Sequence, residues 1–73
     1  MTVSQEEYQY MVEATTSDLV RMLMEQQQLT MHEAFNKVYS SHTFRMLNDP
    51  QSTLYYQSPG YVFELLSAEL SGE

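Results

Sequence analysis

Cysteine and tryptophan are absent from this 73-residue chain, glycine and proline occur twice each, and only three residues are Lys or Arg. Without cysteine there is no disulfide framework, no thiolate zinc site and no cysteine nucleophile. With glycine confined to Gly60 and Gly72 there is no glycine-rich phosphate loop. The three cations, Arg21, Lys37 and Arg45, are scattered against ten acidic residues, for a formal net charge of −7. Neutralising phosphate takes clustered Lys and Arg, so direct nucleic-acid binding is not expected. The same deficit argues against adhesion to anionic membrane surfaces. Apolar runs such as Met22–Met24 and Tyr61–Phe63 fall far short of the roughly 20 residues that cross a bilayer. The opening "MTVSQEEYQY" is polar and acidic, with no basic region or apolar run, so no targeting segment is expected and the chain reads as soluble and cytoplasmic.

What the chain does contain is helical pattern. Ser4 and Glu7 have capping-box spacing, and Tyr8, Val12, Thr15, Leu19, Met22 and Leu23 follow at three- to four-residue intervals. This predicts a helix over about 5–28, either continuous or broken near Thr16, where "ATTSD" weakens the propensity. Thr30 and Glu33 repeat the capping-box spacing ahead of Met31, Ala34, Phe35, Val38 and Tyr39, predicting a helix over 31–40 with Phe35, Val38 and Tyr39 in the core. Glu33 and Lys37 stand on its opposite face as an i,i+4 ion pair. One or two turns over 42–48 carry Phe44, Met46 and Leu47 before Asn48-Asp49-Pro50 stops them. "STLYYQ" suits an extended connector. A closing helix over 59–70 opens with Ser58 as cap and Pro59 at its first position, and presents Tyr61, Val62, Leu65, Leu66 and Leu70 as one apolar arc. Glu69 projects into that arc, either frayed into water at the last turn or facing a cation. The expected fold is all-α, a small bundle of three main helices plus a short helical turn and an extended connector, forming a single domain over 1–73.

Catalytic patterns are missing. "HEAFN" places Asn36 where a zinc-protease helix needs its second histidine, and His42 lies beyond the helix end, so no metal or other cofactor is expected. The serines fall at caps and turns rather than beside a base. An enzyme is not expected.

The order of residues from Ser17 to Leu70, about three-quarters of the chain, resembles a group of small uncharacterised bacterial proteins. The resemblance rests on an L-x-D-P-x-[ST]-x-L-Y turn, here Leu47, Asp49, Pro50, Leu54 and Tyr55, and on a closing S-x-x-Y-V helix, here Ser58, Tyr61 and Val62. This chain carries Ser52-Thr53 in the turn, where those proteins often carry Thr-Gly. The resemblance implies an all-helical domain of unknown function, an accessory or regulatory partner of another protein.

A single core of this size is marginally stabilising, and without disulfides the remaining staple is association. Six tyrosines and six methionines suit interfaces as well as small cores. The leading expectation is therefore a protein–protein interaction module, an adaptor or inhibitor-like protein that meets a partner or a second copy of itself. The alternative is an acidic mimic or partner of a DNA-binding protein, regulating nucleic-acid transactions without binding nucleic acid directly. Candidate contact residues are Tyr55, Tyr56, Tyr61 and Glu69. On an extended segment the rings of Tyr55 and Tyr56 diverge, one buried against Phe35 or Leu65 and the other facing outward.

Overall fold

The first helix owes its start to a reciprocal cap: the Ser4 Oγ accepts the Glu7 N–H (3.1 Å) while the Glu7 carboxylate accepts the Ser4 N–H (3.0 Å). The computed structural model describes residues 4–72. The first three residues of the polar N-terminal stretch, and Glu73, lie outside them. Helix α1 runs Gln5–Gln27 without interruption through the threonine pair. Thr15 and Thr16 are both buried, and the Thr16 hydroxyl donates to the Val12 carbonyl (2.7 Å), which satisfies it within its own helix. At a rise of about 1.5 Å per residue α1 is about 35 Å long, nearly the full 38 Å length of the molecule. The second and last helices and the turn over Leu54–Tyr56 pack along it.

Gln28 ends α1 in the left-handed region (φ 55°), and the Leu29 N–H reaches back to the Met24 carbonyl (3.2 Å), the long bond of a Schellman motif. Two residues later a second capping box, Thr30 with Glu33, opens α2 (Met31–Tyr39). Helix α3 (His42–Leu47) follows, with the Ser41 Oγ accepting the Phe44 N–H (3.0 Å). Helix α4 (Pro59–Leu70) starts as its Ser58-Pro59 signal predicts, with the Ser58 Oγ accepting the Tyr61 N–H (3.2 Å). The all-α class and the four helices stand where the periodicity placed them, with ends displaced by one residue at most.

The link between α3 and α4 is a correction. It is wound into two 3-10 turns, Pro50–Ser52 and Leu54–Tyr56, rather than extended. Local hydrogen bonds win over the β propensity of "STLYY": the Asp49 carboxylate accepts the Gln51 N–H (3.0 Å), and the Ser52 hydroxyl reaches the carbonyls of Met46 and Asp49 and accepts the Leu54 N–H. Thr53 joins the two turns at φ 56°. That is the conformation glycine supplies without steric cost, in a chain that has threonine there.

The core is aliphatic: Leu19, Leu23, Val38, Leu47, Val62 and Leu66 are the largest fully buried side chains. Each buried Leu or Val contributes roughly 1.5–3 kcal/mol relative to exposure. One expectation about its lining fails, for a reason that also divides the apolar arc of α4. On α2 the row facing α1 is Ala34 and Val38, so Phe35 and Tyr39, one residue further round, stay 42% and 48% exposed instead of entering the core. On α4 the buried row is Val62 and Leu66, and Tyr61 and Leu65 are left outside. A helix turns 100° per residue, so a short helix packed on one side buries one of two adjacent apolar rows and presents the other to solvent. The expected Glu33–Lys37 ion pair is also absent: among the described residues the one ion pair is Arg21–Asp18 (2.8 Å). Glu33 is committed to its cap, whose backbone and hydroxyl hydrogen bonds from Thr30 hold its carboxyl below the usual range.

Candidate functional site

The row of α2 left outside the core forms a wall. Met31, Phe35 and Tyr39 recur at i, i+4 and i+8 on α2, and Phe44 of α3 continues the line. Their rings stack in sequence, Phe35 on Tyr39 with centroids 4.3 Å apart and Tyr39 on Phe44 at 4.4 Å. Opposite them α1 offers Val12, Thr16, Val20 and Met24, again at i+4 spacing. Between the two walls lies an open groove of about 830 Å³. Its polar lining is thin: Glu13, Ser17 and Arg21 stand on the α1 side and Asn48 at the end. Arg21 is already held by Asp18. Met31 at 64% exposed, with Phe35 and Tyr39, makes an aromatic and thioether surface of the kind enriched at protein interfaces.

None of Tyr55, Tyr56, Tyr61 or Glu69 lines this groove. Tyr55 is half-buried, its ring edge-on to Tyr8 (4.8 Å, 82°), and Tyr8 in turn donates its hydroxyl to the Leu47 carbonyl (3.2 Å). Burial pushes the Tyr8 phenol above its ordinary range, with Asp49 and Tyr55 adding to it. Tyr56 is exposed and stacked on Tyr55 (5.0 Å, 27°). The two rings therefore do not diverge as an extended segment would have them, because a 3-10 turn sets successive side chains about 120° apart. The inner ring meets Tyr8 and forms no aromatic pair with Phe35. Tyr61 is exposed on α4 with Leu65 one turn on.

Glu69 is not frayed, and it faces no Lys or Arg among the described residues. Its carboxylate accepts the backbone N–H groups of His42 (2.7 Å) and Thr43 (2.9 Å) and the Thr43 hydroxyl (2.8 Å), so that α4 caps α3 across 26 residues of sequence. Burial alone would raise this carboxyl, but the three donated hydrogen bonds and His42 outweigh it and hold it below the usual range. The cap ties down the short helix that carries Phe44, the last ring of the groove wall.

The aromatic wall is thus the feature that sequence reasoning assigned to the core. Its signal was present as two apolar rows on α2, where a nine-residue helix against a single long neighbour has room to bury one. In comparisons with known proteins no family model matches the chain, and neither a curated protein nor a solved structure does. The resemblance drawn from the turn and the closing helix rests on those residues alone. No described helix is long and apolar enough to cross a membrane.

Proposed function

We propose that this chain is a small protein–protein interaction module that seats an apolar helical segment of a partner protein in the groove between α1, α2 and α3. One observation carries the reading: Phe35 and Tyr39 stand exposed and stacked in line with the partly buried Phe44, along a groove whose opposite wall is largely apolar, formed by Met24 and the rims of the core residues Val12 and Val20. Contiguous exposed apolar surface of this kind marks interaction sites. An amphipathic helix laid in a groove with anchors at i, i+3/i+4 and i+7 is a recurring solution to it. The groove lining extends along α1 from Val12 to Met24, about 18 Å at 1.5 Å per residue, or roughly three turns of an incoming helix. An open trough of this form suits a helix better than a small ligand, which needs most of its surface enclosed.

The test is photo-crosslinking in the native cell, with a benzophenone amino acid placed at Phe35 and, as a control, at exposed Glu64 on α4. Adducts from position 35 that map to one amphipathic segment of another protein, absent from position 64, are the expected result. Equal and scattered adducts from both positions would refute the groove as a binding face.

A further inference from the structure

The charges around the groove decide between the partners its apolar walls would accept, and we infer that the occupant is a cationic amphipathic helix of a different protein rather than a second copy of this chain. The inference rests on the groove reading above and adds to it the chemistry of the partner. The one cation lining the groove, Arg21, is neutralised by Asp18 at 2.8 Å. Glu13 lines the same wall and takes part in no ion pair among the described residues. Glu6, seven residues before it, falls within about 20° of the same direction on the helix and is also exposed. On the α2 side, the residues that continue the lip beyond Phe35 and Tyr39 are His32 and Asn36. Lys37 stands about 160° from Phe35 around the helix, on the far face. Among the residues that line the groove, an incoming helix therefore meets no unpaired Lys or Arg and one unpaired carboxylate, Glu13; the exposed Arg45 follows Phe44 on α3 but lies outside that lining.

A second copy fares badly on the same surface. Two chains would each bring a formal −7 to the contact, and a two-fold interface presents the same patch from both sides, so Glu13 adds to the repulsion rather than relieving it. Lys or Arg flanking an apolar stripe of about three turns reverses the sign of that interaction. It would also speed encounter with a strongly acidic chain at low salt.

The experiment is selection of displayed 16-residue helical peptides against the full chain. The apolar stripe is fixed and the flanking positions are free to be Lys, Gln or Glu. Counter-selection uses Phe35→Asp and, should that variant misfold by circular dichroism, Met31→Asp, whose side chain is the more exposed. Sedimentation of the free chain runs beside it. Groove-dependent binders enriched in flanking Lys, weakened about three- to five-fold by Glu13→Gln and further by salt, are the expected outcome. Groove-dependent binders with Gln or Glu flanks would overturn the charge inference and leave the groove reading standing. Dimerisation abolished by Phe35→Asp would overturn it in favour of a second copy. No groove-dependent binder, with a monomeric chain, would overturn both.

Discussion

Replacing Glu69 by alanine removes a cap supplied from a distant part of the chain, and its cost can be worked from the three contacts it makes. The carboxylate accepts two backbone N–H groups at 2.7 and 2.9 Å and a hydroxyl at 2.8 Å. Loss of a helix cap costs about 0.5–2 kcal/mol. The buried Thr43 is left with an unpaired hydroxyl, and stranding a buried polar group costs about 1–3 kcal/mol. These contributions overlap, because the same groups partly regain water when α3 loosens, so Glu69→Ala is expected to destabilise by about 2–3 kcal/mol. Against a total of about 4–11 kcal/mol for a chain of this length, that is a large fraction. Glu69→Gln keeps one acceptor oxygen and loses the charge, and is expected to cost about 1 kcal/mol. The sign of the pH dependence follows from the lowered carboxyl. A folded-state value below the unfolded one, about 4.3, means stability present in full above that pH and lost as pH falls through the folded value. The gap between wild type and Glu69→Gln should therefore be open at pH 7 and close in acid. Glu7 and Glu33, lowered by their own caps, act equally in both proteins and cancel from the difference. Urea unfolding followed by circular dichroism measures it. A Glu69→Ala change within 0.5 kcal/mol at pH 7, the range of ordinary surface substitutions, or a gap that persists unchanged in acid, would refute the cap.

Thr53→Gly should stabilise the protein by about 0.5–1 kcal/mol in the same assay. A β-branched residue pays for φ 56° while glycine does not, and glycine's own entropy offsets part of the gain. Tyr55→Ala should cost about 2 kcal/mol, since the half-buried ring packs on Tyr8, whereas Tyr56→Ala should cost about 1 kcal/mol or less for the loss of one exposed stacked pair; equal costs would contradict the nested arrangement. Phe35→Ala should lower stability by only about 1 kcal/mol, the worth of its stacking on Tyr39, and reduce capture of groove-binding peptides by far more than that. Calorimetry on the variant with a selected peptide separates the two effects.

Much of this molecule is local, and was legible residue by residue. Ser4 with Glu7, Thr30 with Glu33, Ser58 with Pro59 and the Asn48-Asp49-Pro50 stop set the four helices to within a residue, because a cap is a hydrogen bond between groups three residues apart and needs no partner from elsewhere. The 3-10 winding after Pro50 was also local, but it depended on side-chain bonds by Asp49 and Ser52 that β propensity does not register. What only packing could decide was which of two neighbouring apolar rows on α2 and α4 turns inward. Ala34 and Val38 let α2 lie close to α1, and that choice leaves Phe35 and Tyr39 outside as an exposed aromatic face. Glu69 belongs to the same class. At the end of a terminal helix its carboxylate looks destined for water, and only the docking of α4 against α3 brings it within 2.9 Å of two backbone N–H groups 26 and 27 residues away. Periodicity names the faces a helix could bury, and the positions of its neighbours in space select among them.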